Sequence, residues 1–233
     1  RLRNYLNRNC DNYPTHELGP IAKVLNINRG NRMVTLSSFS SKASGLKSYV
    51  KENAEKYPYL LDKEFKQGDI ITTVITCADG STIVLTLDTT LPRAYSRGFT
   101  VRGTKGAYFE DNDSVFLDSA GYEHFGWEKH WGNGEEYRKE YMHPLVEKYD
   151  EKAQKAGHDG MDYMVLAAFF EAVEKKVNTP IDVYDLAAWM SVTALSEESI
   201  SKGGLPVSIP DFTGGKWLLY NKGENPELEF SLD

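Results

Sequence analysis

The stretch from Asp69 to Asp88 does most to narrow what this chain can fold into. Asp69 to Cys77 and Thr82 to Asp88 are both rich in Thr, Ile and Val, the β-branched residues that fit a pleated surface. Ala78-Asp79-Gly80-Ser81 separates them, and an Asp-Gly pair between two such runs marks a β-hairpin. Met33 to Phe39 reads as a strand ahead of it. Phe99 to Gly103 and Ala107 to Glu110 read as a second hairpin across Thr104-Lys105-Gly106, with Ser114 to Leu117 as one more strand.

Helical patterns flank this block on both sides. Leu18, Ile21, Ala22 and Leu25 recur at helical spacing and predict a helix near 18–27. It ends at Asn28-Arg29-Gly30-Asn31, a turn in which Gly30 can take positive φ. Gly45 to Glu55 is a short polar helix, and Glu135 to Ala156 another helical region. Met161, Met164, Val165, Ala168, Phe169, Ala172 and Val173 make a complete stripe, with Asp159 as the expected cap. Asp182 and Asp185 open a helix to about Lys202, whose Leu186, Ala187, Trp189, Met190, Val192 and Leu195 predict burial on more than one side. Gly121 to Asn133 has no period and reads as a long loop. The expected fold is α+β: a single domain over 1–233, with a mostly antiparallel open sheet covered by helices on one face. Met161–Val177 and Asp182–Lys202 are expected to pack on that sheet.

The most chemically informative residues come early, at Tyr13-Pro14-Thr15-His16. Two proton-handling side chains stand three residues apart. Pro14 fixes its own φ and pushes Tyr13 toward extended backbone, which limits where the Tyr13 ring can point. Pro20 suits only a first turn, so His16 is expected at or just before a helix N-terminus, available as a base or hydrogen-bond partner. The competing reading is structural, with Tyr13 and His16 bracing a loop on a core helix.

Composition removes several function classes. At 233 residues and a net charge of −7, without a long Lys/Arg run, the chain is a poor match for nucleic acid or an acidic membrane. No apolar stretch approaches a transmembrane span. The two cysteines, Cys10 and Cys77, form no metal-like or redox spacing. The five histidines, His16, His124, His130, His143 and His158, show no paired metal-binding pattern, so no metal is expected. There is no GxGxxG, no GxxxxGKS/T and no GxSxG. Arg1-Leu2-Arg3-Asn4-Tyr5 is neither an initiator sequence nor a signal peptide, and the chain reads as a fragment of a longer protein.

Several segments, in order, carry a resemblance. They are Asn12 to Pro20, Asn26 to Arg32, Asp88 to Phe99, Gly103 to Gly106, Tyr141 to Leu145, Gly157 to Asp162, Asp182 to Asp185 and Ile209 to Thr213. Together they resemble the carboxy-terminal substrate domain of the Gfo/Idh/MocA oxidoreductase superfamily. The nearest branch is the NAD-dependent glycoside hydrolases typified by bacterial α-N-acetylgalactosaminidase. The resemblance implies transient oxidation of the sugar C3 hydroxyl by NAD, elimination of the C1 substituent, water addition and re-reduction. That route is one of the exceptions to the paired-carboxylate rule of glycosidases. It calls for Tyr/His proton handling, which Tyr13 and His16 supply, whereas no acid pair stands out.

The same resemblance implies roles residue by residue. Tyr13, Pro14, Thr15 and His16 would line the sugar site. Tyr13 would also stand near the nicotinamide, and His16 would transfer a proton or orient the C3 hydroxyl. Arg1 and Tyr95 match substrate-contacting positions. His158 and Asp159 form a second tier whose first role is helix capping, and Trp127, His130 and Trp131 are candidates for stacking on sugar faces. Glu17 departs from the glycine that relatives often carry, adding a charge beside the tetrad. The implied dinucleotide-binding domain is absent from these 233 residues, so the fragment alone is expected to bind NAD poorly and to be inactive.

Two other functions compete. One is a sugar dehydrogenase of the same superfamily. The other is a non-catalytic carbohydrate-binding or oligomerisation module, with the open sheet face as the surface for a homo-oligomer. The sequence does not fix a location; a periplasmic or secreted bacterial setting is favoured over the cytoplasm.

Overall fold

The hairpin forms as its sequence indicates. In the computed structural model, which describes residues 2–120, 126–142 and 157–219, β2 (Ile70–Cys77) and β3 (Thr82–Asp88) pair antiparallel, from Ile70 opposite Asp88 to Thr76 opposite Thr82. Gly80 turns the chain at φ 88°. β1 (Met33–Ser40) pairs with the other edge of β2, and β7 (Val207–Ser208) with β1, giving the order β3-β2-β1-β7. Burial alternates along β2 and β3, as a sheet with one covered face requires.

Two helices cover that face: α2 (Pro14–Val24) and α6 (Val183–Ser201). Leu18 and Ala22 of α2, Leu36, Ile75, Ile83 and Leu85 of the strands, and Ala188, Trp189 and Val192 of α6 form one buried cluster. The opposite face stays open: Val84 is exposed, and Thr35 and Thr76 share a 2.7 Å hydroxyl contact. A smaller cluster of Val50, Leu60 and Phe65 gathers around α3 (Gly45–Glu52). A short helix not anticipated from sequence, α1 (Leu2–Asn7), adds Tyr5 and Leu6 to its rim.

The architecture is α+β with every strand pair antiparallel, although the strands divide between two sheets. The chain forms two compact units, one from described residues 2–93 and 181–219, the other from those between 94 and 180. In the second unit β4 (Thr100–Arg102), β5 (Gly106–Phe109) and β6 (Ser114–Leu117) form a three-stranded meander. It is followed by α4 (Gly134–Tyr141) and α5 (Met161–Lys175).

Four expectations need correction. α2 starts at Pro14, ahead of the predicted Leu18, so Pro20 falls inside the helix rather than in its first turn. Having no N–H, Pro20 leaves the His16 carbonyl without its helical donor. The Met161–Val173 stripe is not a core face: Met161, Val165, Phe169 and Val173 are exposed, and only Ala172 is buried. Periodicity reports which residues are apolar, not what covers them. α6 is buried along one stripe, Asp185, Ala188, Trp189, Val192, Ser196 and Ser199, while Leu186 and Met190 are exposed. The residue capping α5 is Gly160, in the left-handed region at φ 90°, and not Asp159. Of the Glu135–Ala156 region, α4 is seen and 143–156 lie outside the described residues.

Candidate functional site

Tyr13 and His16 meet at the start of α2. Tyr13 is the N-cap residue at φ −145° and ψ 48°, out of the helical region as the following proline demands, though short of fully extended. Pro14 occupies the first turn, where its missing N–H costs nothing. Their rings stack with centroids 4.5 Å apart and planes 26° from parallel, and the Tyr13 hydroxyl lies 3.4 Å from His16 Nε2. Thr15 Oγ1 stands 3.5 Å from His16 Nδ1. Tyr13 is 45% exposed and His16 is exposed as well. Both rings of the pair therefore reach the surface.

Beside it runs an open groove of about 450 Å³, lined by Thr15, His16, Gly19, Pro20 and Lys23 of α2 with Ile181 and Trp189. The lining is mostly apolar and includes the His16 imidazole and Lys23. Gly19 lies over the Trp189 ring, which stands 3.8 Å from where a Cβ would be, an ordinary packing distance.

A buried ion pair holds this corner in place. Asp185 is 1% exposed and accepts from Arg29 Nη1 at 2.9 Å, Arg29 Nη2 at 3.0 Å and Asn28 Nδ2 at 3.1 Å. Lys23 Nζ lies 3.7 Å away. Asp182 caps α6, accepting from the Tyr184 and Asp185 N–H groups, and Asp185 returns the bond to the Asp182 N–H. Burial pushes the Asp185 carboxyl up, yet Arg29, Lys23 and the Asp182 N–H together bring it below its ordinary value. The Asn26–Arg32 and Asp182–Asp185 segments, read separately in the sequence, are thus the two halves of one clamp.

Two acids flank the tetrad in sequence, Glu17, already noted there, and Asp11, which sequence reasoning did not single out. Asp11, two residues ahead of Tyr13, is fully buried, with the Tyr13 N–H and the Thr73 hydroxyl near its carboxylate but out of good hydrogen-bond geometry. Burial pushes it up to about 6, opposed by the nearby Tyr13 N–H and Thr73 hydroxyl. Glu17, immediately after His16, has Oε2 sealed from solvent without a partner. Burial pushes Glu17 up to about 8, helped by the Asp11 charge and opposed by Arg93. Sequence spacing could not reveal the burial of Asp11, which sits in an irregular segment without periodicity.

The remaining predicted residues fall as follows. Tyr95 belongs to the second unit, in the segment between β3 and β4, and is 88% exposed. It is therefore not a core aromatic. Its neighbours are anchored: Ser96 Oγ donates to Asp111 and accepts from the Gly98 N–H, and Arg97 Nε donates to Glu110 at 3.2 Å. Arg1 lies outside the described residues, as do His124 and His143. Within the expected long loop, residues 127–130 form a 3₁₀ turn, with His130 edge-on to Phe116 at 5.1 Å and Trp131 exposed. His158 Nδ1 lies 2.9 Å from Asp162. Among the described residues no group of three or more His, Cys, Asp or Glu side chains could hold a metal ion, and no helix is long and apolar enough to cross a membrane.

Residues 1–219 match the family model for the glycosyl hydrolase 109 C-terminal domain, and the chain belongs to that family. It is 42% identical over 219 residues to an alpha-N-acetylgalactosaminidase of Tannerella forsythia, covering 94% of this chain and 46% of that protein. A glycosyl hydrolase family 109 protein of Stenotrophomonas maltophilia is also 42% identical over 219 residues, covering 93% and 47%. An alpha-N-acetylgalactosaminidase of Shewanella oneidensis is 35% identical over 213 residues, covering 90% and 46%. The chain spans about half the length of the curated relatives it matches.

Proposed function

We propose that this chain is the substrate domain of a glycosidase acting on α-N-acetylgalactosaminide-like carbohydrates, with His16 and Tyr13 as its proton-handling residues. The observation that carries this reading is the stacked, exposed Tyr13–His16 pair at the edge of the groove. A non-catalytic module would have no need to present two proton-handling groups within 3.4 Å of each other. The names of the relatives support the substrate class.

The mechanism proposed is NAD-dependent elimination and water addition. The chain's own residues fit only the reacting end of such a cofactor, through the exposed Tyr13 ring beside His16; no glycine-rich phosphate loop occurs in the sequence. When bound, NAD would supply reversible oxidation of the sugar C3 hydroxyl. What this chain contributes is proton movement and orientation. His16 Nε2, facing the Tyr13 hydroxyl, takes or returns the proton at the sugar C3 hydroxyl or C2 carbon. The Tyr13 phenol acts as its hydrogen-bond partner and fixes the imidazole plane by stacking. Thr15 holds the other ring nitrogen. Tyr95 and Arg1 are proposed to contact sugar hydroxyls or the acetamido carbonyl.

The direct test is release of aglycone from an aryl α-N-acetylgalactosaminide by the intact enzyme, with sugar products identified. Free N-acetylgalactosamine supports the glycosidase reading. Accumulation of a keto-sugar with the glycosidic bond intact would instead make the protein a dehydrogenase.

A further inference from the structure

The segment between α1 and α2, residues 8–13, forms no regular structure, so its backbone has no ladder to bond to. Side chains take that place. Arg8 donates to Glu197 of α6 from Nη2 at 2.6 Å and from Nε at 2.9 Å. Asn9 Oδ1 accepts from the Ser40 hydroxyl of β1 at 2.8 Å and from the Gly68 N–H at 3.0 Å. Cys10 exchanges two bonds with one amide: its N–H donates to Gln67 Oε1 at 3.3 Å, and its carbonyl accepts from Gln67 Nε2 at 2.9 Å. The Asp11 N–H donates to Ser196 Oγ of α6 at 2.9 Å. Gln67 is 2% exposed and Ser196 0%, so neither has water to compete for these bonds.

The fastening stops where the tetrad begins. Cys10, Asp11 and Pro14 are buried, whereas the Tyr13 and His16 side chains reach solvent. Core packing gives an exposed ring little orientation, so its direction must come from the backbone that carries it. We propose that Gln67 and Ser196 are positioning residues for Tyr13 and His16. By holding the Cys10–Asp11 backbone they set where the Tyr13 ring stands and, through the 4.5 Å stack, how the His16 imidazole is turned. This role rests on the proton-handling reading of that pair; the fastening itself does not. An amide suits position 67 because it offers a donor and an acceptor on one planar group, as the peptide of a neighbouring strand would. Gln67 is held in turn, its N–H donating to the Tyr5 carbonyl of α1 at 3.1 Å. Ser196 sends its own proton to the Thr193 carbonyl at 3.1 Å, which leaves an oxygen lone pair for the Asp11 N–H.

Two substitutions test this in the intact enzyme. Gln67→Met keeps the length of the side chain and removes both bonds to Cys10; Ser196→Ala removes the bond to Asp11. Gln67→Met should lower kcat about tenfold to a hundredfold and Ser196→Ala about threefold to tenfold, with KM within about twofold of wild type. A double-mutant cycle separates positioning from general weakening. In the His16→Ala background each substitution should change kcat by less than about twofold, since no imidazole is left to misplace. Hydrogen exchange followed by mass spectrometry should show residues 10–16 exchanging about tenfold faster or more in both variants, with β2 and β3 at wild-type rates. Equal fold losses in the wild-type and His16→Ala backgrounds would overturn the positioning role, as would a kcat within about twofold of wild type in both single variants. Faster exchange spread evenly over β2 and β3 would overturn the local fastening. If Gln67→Met does not fold, Ser196→Ala decides each point. Absence of hydrolysis by the wild type would instead count against the glycosidase reading, with the exchange pattern still deciding whether Gln67 and Ser196 hold the tetrad.

Discussion

Two apolar helices, α5 in the second unit and α6 in the first, look alike in sequence and behave differently in the fold. α6 is fixed by polar atoms as much as by apolar ones. Asp185 grips Arg29, Ser196 Oγ accepts from the Asp11 N–H at 2.9 Å, and Ser199 Oγ accepts from the Ser38 N–H at 2.9 Å. Those bonds tie the helix to the α2–β1 turn, to the segment carrying the tetrad and to β1. α5 instead leaves Phe169 and Phe170 half exposed or more. The lesson is that a buried polar anchor states where a helix sits, whereas an apolar stripe states only that something must cover it. The side chains proposed for catalysis belong to the anchored unit.

The largest effect expected from this contrast is on turnover. His16→Ala in the intact enzyme should cut kcat by about two to four orders of magnitude, the scale of a positioned proton-transfer group. Steady-state kinetics on the aryl glycoside reads it. A loss below tenfold would mean that the imidazole is a packing group after all. Next comes the clamp. Asp185→Ala leaves the Arg29 guanidinium buried without its bidentate partner and should cost about 3–5 kcal/mol, read by urea unfolding of the chain. The same clamp should weaken in acid: its contribution is complete above the ordinary carboxylate range and is lost as pH falls through the depressed value of Asp185.

Smaller effects belong to the second unit. Tyr95→Phe removes one hydroxyl and should raise KM several-fold, about 1 kcal/mol of binding, with kcat little changed. A fall in kcat with KM unchanged would move Tyr95 from contact to chemistry. Smallest of all, Phe170→Ser on α5 should alter the unfolding free energy of the chain by no more than about 0.5 kcal/mol. A loss of several kcal/mol would show that α5 is packed after all and erase the contrast between the helices.

These expectations show which kinds of information the sequence carries. The β2–β3 hairpin was legible because Thr, Ile and Val alternate around Asp79-Gly80, and local chemistry alone fixes its register. The start of α6 was legible because Asp182 and Asp185 have capping-box spacing. The tetrad was legible as chemistry because Pro14 restricts both itself and Tyr13. Three features were not legible. The Arg29–Asp185 clamp joins residues 156 positions apart, and no local rule connects them. The burial of Asp11 depends on how an irregular segment packs. Exposure of the α5 stripe depends on what surrounds the helix, which periodicity does not encode.

The account stands or falls on how the glycosidic bond is broken. Hydrolysis of the α-N-acetylgalactosaminide by the intact enzyme in deuterium oxide, followed by mass and proton NMR analysis of the released sugar, tests it most directly. Elimination must break the C2–H bond, so the product should carry deuterium at C2, and both the label and the turnover should collapse in His16→Ala. Product with hydrogen fully retained at C2, formed at an undiminished rate after NAD is stripped, would contradict the mechanism and leave His16 without its role.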